Sequence, residues 1–376
     1  MTVRSDNRIG VDGIIPASAG MTVEGVRASA SPGGEIPLPA DVAFTPAHDP
    51  MTLYIVRRLL QSVLVILIML VLVFVGVYVI GNPVDVLVST EADQEEFDRM
   101  VRILGLDQPL WKQILIYVSN LVQGDFGRSF AFSEPALELV VQRMPATVEL
   151  VFVAMVMALA TGIPLGMYTG LRPDTATARF IMGTSIIGVS IPNFWQGLML
   201  IFVLAVTWGL FPSGGRGDLD TVLGIRSSLW TLDGWSHVLL PAANLALFQC
   251  TLVIRLVRAN VREIVLLDYI RFARAKGLAW RRIVFVHILK NTLVVLITVI
   301  GLQLGGLIAY SVVTETVFAW PGMGKLIIDS VYILDRPVIV AYLIVIVMLF
   351  ITINLIVDIL YSVIDPRIRT ARGDGY

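Results

Sequence analysis

Residues 338–357 read VIVAYLIVIVMLFITINLIV, an apolar run of 20 residues without a single charged side chain. A hydrocarbon core needs about 20 apolar residues per helix, so this run is long enough to cross a bilayer. The whole chain of 376 residues is 56% hydrophobic and only 15% charged, with a mean hydropathy of +0.80. Soluble domains are about one quarter charged. The composition therefore indicates a membrane protein.

Six apolar runs of this kind predict an all-α membrane protein with six transmembrane helices. The predicted spans cover residues 56–80, 146–168, 180–210, 237–261, 288–313 and 338–364. The third and fourth spans are the least regular, because Pro192, Asn193, Asn244 and Gln249 interrupt their apolar character. Gly162, Gly166 and Gly170, like Gly301 and Gly305, are spaced four residues apart and predict close helix packing.

Lys and Arg cluster at 57–58, 172–179, 255–290 and 367–372, and the third cluster holds nine of them against only two acidic residues. With six spans, all four clusters lie on the same side of the membrane. An odd number of spans would place basic clusters on both sides. Because cytoplasmic loops carry the excess of Lys and Arg, that side is predicted to be cytoplasmic, with both termini there.

The spans divide the chain into five parts. Residues 1–50, rich in Gly, Ala, Pro and Ser, are predicted to be a disordered cytoplasmic extension, unless translation begins at Met51. Residues 51–82 hold the first span, 83–144 form an extracytoplasmic segment, 145–369 form a core with five spans, and 370–376 form a C-terminal tail. Apolar residues at helical spacing within 91–104 and 110–122 predict two short amphipathic helices, which either pack on the bundle as a lid or contact a docking partner.

Signals of catalysis are weak throughout the chain. The stretch GMGKL at 322–326 lacks the first glycine and the hydroxyl residue of the phosphate-binding loop G-x4-G-K-[ST]. None of the three histidines lies near a second histidine or a cysteine at helical spacing, and a lone Cys250 excludes an internal disulfide or a Cys-rich metal site. We therefore expect no catalytic, metal or cofactor site in this chain.

Polar side chains within the spans are the remaining candidates for function. An ionised residue at mid-membrane costs about 2.5–3.5 kcal/mol. Glu149, Glu315 and Asp358, which lie near span ends, are therefore predicted to form ion pairs or to cap helices. The neutral amides within the spans either line a hydrated route or form hydrogen bonds between helices, and they are Asn193, Gln196, Asn244, Gln249 and Gln303. The candidates for pathway-lining residues are Asn193, Gln196, Asn244 and Gln303.

The most distinctive polar stretch is DYIRFARAKG at 268–277, which lies in the basic region between the fourth and fifth spans. Gly277 suits the end of a helix, and residues 280–286 can form a second short helix. Four residues recur at i, i+3, i+4 and i+7 and would share one helix face: Tyr269, Phe272, Ala273 and Lys276. This helix–glycine–helix element either transmits movement between a soluble partner and the spans or rests on anionic lipid.

Several motifs follow one another in an order that resembles a known family. They are GDFGRS at 124–129, RMPAT at 143–147, SIPNFW at 190–195, GLFP at 209–212, HVLLP at 237–241, DYIRFARAKGL at 268–278, ETVFAWPGMG at 315–324, DRP at 335–337 and DPR at 365–367. Together they resemble the ABC importer permeases of the dipeptide, oligopeptide and nickel group, over about residues 51–369. The segment 268–278 resembles the cytoplasmic EAA loop of those permeases.

The resemblance implies a type I importer permease fold in the bacterial inner membrane. It also implies several partners: a second homologous permease, two cytoplasmic ATPase subunits that bind ATP and Mg²⁺, an extracytoplasmic substrate-binding protein, and membrane lipid, but no nucleic acid. This chain itself would hold no cofactor. The EAA-like loop, residues 263–290, would dock on an ATPase subunit through Asp268, Tyr269, Arg271, Phe272, Ala273, Arg274, Ala275, Lys276 and Gly277.

The loop departs from the general pattern E-A-A-x3-G-x9-I-x-L-P at two places. When Gly277 is aligned with the glycine, Arg271, Phe272 and Ala273 stand in place of E-A-A, and Lys290 stands in place of the proline. The role of the general glutamate is therefore not carried over to Arg271.

Three classes of function are open to a membrane protein of this kind. The resemblance favours a non-catalytic permease subunit that carries di- or oligopeptides, although similar permeases also carry nickel chelates, glutathione or sugars. An ion-coupled secondary transporter or a channel would need a titratable path through the membrane and no partner. A membrane enzyme would need a constellation of catalytic residues. Because the binding protein largely selects the cargo, the sequence of this chain does not name it.

Overall fold

The computed structural model describes residues 60–61, 63–72, 75–76, 93–103 and 107–364. These residues belong to one compact unit, Asp49–Tyr376. The predicted N-terminal extension (1–50), the C-terminal tail (370–376) and the DPR motif lie outside the described residues. The predicted first span is described only in part, as the apolar helix Val63–Leu72.

Helices make up most of the described chain. In order they are α1 (Val63–Leu72), α2 (Gln94–Ile103), α3 (Leu110–Val122), α4 (Ala136–Leu171), α5 (Ala176–Ser190), α6 (Asn193–Leu200), α7 (Leu232–Val265), α8 (Asp268–Ala275), α9 (Trp280–Arg282), α10 (Leu289–Val317), α11 (Met323–Tyr332) and α12 (Arg336–Ile364). A π-helical stretch, Ile201–Thr207, extends α6, and another, Ile283–Ile288, joins α9 to α10. The antiparallel hairpin of β1 (Asp220–Val222) and β2 (Ile225–Ser227) precedes α7. Helices α2 and α3 confirm the two predicted amphipathic helices.

Four helical stretches are long and apolar enough to cross a membrane: Ala136–Leu171, Leu232–Val265, Val299–Val317 and Arg336–Val357. Helices α5 and α6 pass the same test only together, and they meet at a bend of 107°. The described residues therefore contain four or five candidate spans. The count of six and the cytoplasmic position of both termini stay predictions.

The predicted third span, 180–210, is not one straight helix. Ile191 has an extended backbone (φ −88°, ψ 130°), which ends α5, and Pro192 then precedes the first residue of α6. Proline lacks an N–H group and disfavours the helical conformation in the residue before it, so the sequence itself explains the break.

Helix α4 begins at Ala136 rather than at the predicted span start of 146. One face of its N-terminal end is apolar, and Ala136, Leu139 and Val140 are buried against residues of α11 and α12, including Val338. The predicted boundary between the outer segment and the core, at 144/145, therefore falls inside one continuous helix.

Helices α4 and α7 pack closely because a row of glycines on α4 forms a groove that receives a row of valines on α7. The pairs are Gly162 with Val253, Gly166 with Val257, and Gly170 with Val261. A Cβ atom built on any of these glycines would lie 2.7 Å from the facing valine side chain. On α10, Gly301 and Gly305 face α12 in the same way, against Val357 and Phe350. Small residues thus let the helix backbones approach closely, which confirms the packing predicted from their spacing.

Candidate functional site

Glu315, near the end of α10, is fully buried and accepts hydrogen bonds from three helices. Its carboxylate accepts from Thr147 Oγ1 of α4 at 2.7 Å, from Ser311 Oγ at 3.1 Å, and from the backbone N–H of Lys325 in α11 at 3.0 Å. A carboxylate at a helix N-terminus is favoured by the partial positive charge of that end. Glu315 therefore caps α11, one of the two roles predicted for it.

The two glycines of the stretch 322–326 leave room for this carboxylate. A Cβ atom at Gly322 would overlap the Glu315 carboxyl group, and one at Gly324 would lie 2.8 Å from Glu315 Oε2. The stretch that superficially resembles a phosphate-binding loop is thus filled by the side chain of the protein itself. It provides a rigid joint between α10 and α11.

Two pairs of distant sequence motifs meet in the structure. In the first pair, Trp320 Nε1 donates to the backbone oxygen of Ala146 at 2.9 Å, and Thr147 Oγ1 accepts from the backbone N–H of Met323 at 2.8 Å. In the second, the buried carboxylate of Asp335 accepts from Ser129 Oγ and from the backbone N–H of Phe130. These contacts join RMPAT to ETVFAWPGMG, and GDFGRS to DRP.

Glu149 of α4 forms the ion pair predicted for it. It is buried, and Arg216, which precedes the β-hairpin, donates Nη2 to Glu149 Oε2 at 2.5 Å. Ser228 Oγ donates to the other carboxylate oxygen. The pair fixes the loop between α6 and α7 to α4. The side chain of Asp358 lies outside the part of the chain that the structure describes.

The four residues predicted to line a pathway surround a single cavity of about 220 Å³. The cavity lies between α5, α6, α7 and α10, and its amide residues are Asn193, Gln196, Asn244, Gln249 and Gln303. Gln249 was among the neutral amides with two possible roles, although it was not one of the four candidates for pathway lining. Its signal was an amide in an apolar run, five residues after Asn244. That these residues line a transport pathway stays a prediction.

Two of the amides also tie the helices together. Asn244 Nδ2 of α7 donates to Asn193 Oδ1 of α6 at 2.6 Å and to Thr314 Oγ1 of α10 at 3.2 Å. Asn193 and Asn244 therefore form hydrogen bonds between helices, which is one of the two roles that the sequence left open, and they also line the cavity.

The segment 268–277 forms helix α8 and a glycine turn. Gly277 has a φ of +75°, and its N–H donates to the backbone oxygen of Arg274 at 2.9 Å, while the N–H of Leu278 donates to Ala273 at 3.3 Å. Glycine adopts this left-handed conformation at little cost, so the predicted helix end is confirmed. The predicted second short helix, 280–286, is instead the start of a continuous helical segment that leads into α10.

Helix α8 has one buried face and one exposed face. Ile270 and Ala273 are buried among apolar residues of α7 and of the helical segment before α10. Tyr269 and Phe272 are 41% and 61% exposed. Along the predicted common face, Ala273 is therefore buried, whereas Tyr269 and Phe272 are exposed. Ile270, the most apolar residue of the helix, points inward, and Ala273, three positions later, points inward with it.

The exposed face of α8 combines aromatic and cationic groups. Lys276 Nζ lies 4.6 Å from the centre of the Phe272 ring. Arg271 is 68% exposed and lies 3.4 Å from the carboxylate of Asp268, which is 96% exposed. Exposed ion pairs of this kind contribute little to stability, so both side chains are available to a partner.

A second cavity, of about 380 Å³, lies between the end of α4 and the helical segment that follows α8. Tyr168 and Arg172 line one side, and Trp280 and Phe285 line the other. The guanidinium group of Arg274 lies 4.8 Å from the centre of the Trp280 ring, so this cavity adjoins α8. The exposed surface around α8 is therefore basic, aromatic and concave.

Comparison with protein families places this arrangement. Residues 162–370 match the model of the binding-protein-dependent transport system inner membrane component, and residues 51–151 match the model of its N-terminal region. The chain is 40% identical over 321 residues to the oligopeptide transport system permease protein AppB of Bacillus subtilis (strain 168), which covers 85% of this chain and 100% of AppB.

Two further relatives extend this similarity. The dipeptide transport system permease protein DppB of Escherichia coli (strain K12) is 36% identical over 336 residues, which cover 85% of this chain and 99% of DppB. The glutathione transport system permease protein GsiC of the same strain is 36% identical over 317 residues, which cover 84% of this chain and 98% of GsiC.

A solved structure shares the fold. The MetNI methionine ABC transporter in an inward-facing conformation contains a chain that superposes with a TM-score of 0.50. The superposition covers 62% of this chain and all of that chain, at 22% identity, so it concerns the fold alone. This chain therefore belongs to the family of binding-protein-dependent transport system inner membrane components.

Proposed function

We propose that this chain is one transmembrane permease subunit of an ATP-driven importer and that it forms part of the pathway for di- or oligopeptides. The observation that carries this proposal is the similarity to permeases named for oligopeptide and dipeptide transport, at 36–40% identity over almost their whole length. In this account an extracytoplasmic binding protein delivers the peptide. A second, homologous permease completes the pathway, and two cytoplasmic ATPase subunits bind ATP and Mg²⁺.

The packing of α8 supports a coupling role. Ile270 and Ala273 lie in one apolar cluster with Val257 and Val261 of α7 and with Ile288, just before α10. A force on the exposed face of α8 would therefore act on α7 and α10 together instead of bending a loose loop. Close-packed interiors transmit such displacements because they hold few voids that could absorb them.

The same two helices line the cavity of about 220 Å³ that contains the five amide residues, which is called the amide cavity below. Asn244 and Gln249 lie on α7, and Gln303 lies on α10. A docking event at Phe272 of α8 would thus reach the candidate pathway through helices that contact both places. ATP binding and hydrolysis in the partner subunits would favour different arrangements of these helices, and this difference in affinity is what alternating access requires.

The exposed apolar residues beside the cavity fit a second permease subunit. Phe248 of α7 and Tyr310 of α10 line the cavity, are 45% and 60% exposed, and have ring centres 5.9 Å apart. A homologous permease packed against this side would cover both rings and close the cavity. We further propose that six spans cross the bacterial inner membrane, with α8 and both termini in the cytoplasm.

Reconstitution tests the proposal. The chain is placed in proteoliposomes with its partner permease, ATPases and binding protein, and uptake of a radiolabelled dipeptide is measured. We expect uptake that requires ATP hydrolysis and every component, so omission of the ATPases or use of a non-hydrolysable ATP analogue should abolish it. Peptide uptake by this chain alone, driven by a proton or sodium gradient, would instead establish an ion-coupled carrier.

A further inference from the structure

The amide cavity contains two polar atoms without a hydrogen-bond partner among the described residues. They are Gln249 Nε2 and Asn244 Oδ1, and both residues are only 1% exposed. Buried polar groups in native proteins are almost always paired, so each unpaired one calls for an explanation. Both atoms belong to residues of α7 that line one cavity.

The orientation of Asn244 is set by its neighbours. Its Nδ2 group is held by Asn193 Oδ1 at 2.6 Å and by Thr314 Oγ1 at 3.2 Å. The acceptor Oδ1 is thereby left for a ligand, while Gln249 Nε2 offers a donor. The site thus presents one donor and one acceptor from neutral amides.

The chemistry of the cavity excludes a charged ligand group. None of the described residues that line it is charged, so an ammonium or carboxylate would lose its water without gaining an opposite charge. A neutral peptide unit fits better, since its C=O accepts from Gln249 and its N–H donates to Asn244. Complete small-molecule pockets measure roughly 300–1,000 Å³. At about 220 Å³, this cavity holds part of a peptide and not a whole one.

We infer that Gln249 and Asn244 form a peptide-unit site that recognises the backbone of the cargo independently of its side chains. This inference rests on the proposed function of peptide import. Every peptide bond carries the same donor and acceptor, so such a site accepts many sequences. Selection among side chains then remains with the binding protein.

The test compares a short peptide with its depsipeptide, in which an ester replaces one backbone amide and removes the N–H donor. ATP-dependent uptake of both by the complete transporter is measured for the wild type and for Gln249→Met, and the ratio of their kcat/KM values is calculated. Any preference of the binding protein is common to both transporters, so it cancels when the two ratios are compared. Asn354→Leu is the control, because Asn354 lies on α12 and donates within its own helix, to Phe350, away from the cavity.

We expect Gln249→Met to reduce kcat/KM for the peptide by about threefold to tenfold, as expected for one lost hydrogen bond. The preference for peptide over depsipeptide should shrink as well, because the carbonyl and the N–H belong to one unit and are held together. Asn354→Leu should keep the wild-type ratio. The thermal stability of Gln249→Met should be at least that of the wild type, since Nε2 has no partner within the described chain and methionine is similar in volume.

Two outcomes would overturn the inference. If Gln249→Met keeps the wild-type kcat/KM and ratio, the amides serve only water or helix packing. If its stability falls and the ratio stays unchanged, the role of Gln249 is structural. A wild-type transporter without ATP-dependent peptide uptake would give a different result, which refutes the proposed function itself.

Discussion

Truncation of Phe272 to alanine should weaken the binding of the ATPase subunits. Complete burial removes roughly 150–250 Å² of an aromatic side chain from water, and the exposed 61% of Phe272 therefore offers about 90–150 Å² to a partner. At about 25 cal/mol per Å², this area corresponds to about 2–4 kcal/mol. The dissociation constant should thus rise about 30- to 1,000-fold. Stability of the permease should change little, because the exposed contact with Lys276 contributes only about 0.5–1 kcal/mol.

The assay is a titration of the purified ATPase subunits against nanodiscs that contain the permease pair, followed by uptake measurements in proteoliposomes. Phe152→Ala is the matched control, since Phe152 is 60% exposed but lies within the long helix α4. Phe272→Ala should lose affinity and coupled uptake while Phe152→Ala retains both. Equal affinities for the wild type and Phe272→Ala, or an equal loss in both variants, would refute the docking role of α8.

Three further substitutions test the packing that supports the site. Gly166→Ala should lower the melting temperature, because the new Cβ would lie 2.7 Å from Val257 and overpacking costs about 1–3 kcal/mol. Gly183→Ala is the control and should not lower it, since a Cβ at Gly183 meets nothing within 4 Å. Equal effects of the two substitutions would contradict the close packing of α4 on α7. Glu315→Gln should destabilise the protein by about 1–3 kcal/mol in thermal unfolding, because one acceptor oxygen becomes an NH₂ group that faces hydrogen-bond donors. An unchanged melting temperature would contradict the hydrogen bonds from Thr147 and Lys325 to this carboxylate. A Cβ at Gly277 would meet no other atom within 4 Å, but the φ of +75° is unfavourable for alanine by about 1–2 kcal/mol. Gly277→Ala should therefore speed amide hydrogen exchange in α8. Unchanged exchange would show that alanine does not strain the turn.

Local features of the fold were predictable because they depend on neighbouring residues. The spacing of Gly162, Gly166 and Gly170 predicts a close helix contact, and Gly277 predicts a helix end. The break at Pro192 also has a local cause. It was not predicted, because the length of the apolar run 180–210 favoured one continuous span. Composition alone was sufficient to indicate a helical membrane protein.

Contacts between distant segments were not predictable from periodicity. Glu315 meets Thr147 across 168 positions, and Asp335 meets Ser129 across 206 positions. The sequence predicts that a carboxylate near a span end needs a partner, but many polar residues could supply it. Only the three-dimensional packing of α4, α10 and α11 selects Thr147 and the N-terminus of α11.

Helix rotation was the main obstacle at the candidate site. Helix α8 carries two possible apolar faces, one with Ile270 and one with Tyr269 and Phe272, and only contact with α7 decides which face is buried. The amides posed the same problem. All five were named individually as neutral amides within the spans, but their arrangement around one cavity depends on how α6, α7 and α10 are rotated.

The most direct test of the central claim is a cross-linking measurement at position 272 in the complete transporter. Cys250 is the only cysteine, so Cys250→Ser provides a background in which Phe272→Cys or Phe152→Cys can carry a photo-reactive group. We expect the group at position 272 to cross-link to an ATPase subunit, with a yield that changes when ATP binds, and the group at position 152 to give no such product. Cross-links from position 272 to lipid or to the binding protein, with none to an ATPase, would contradict the account.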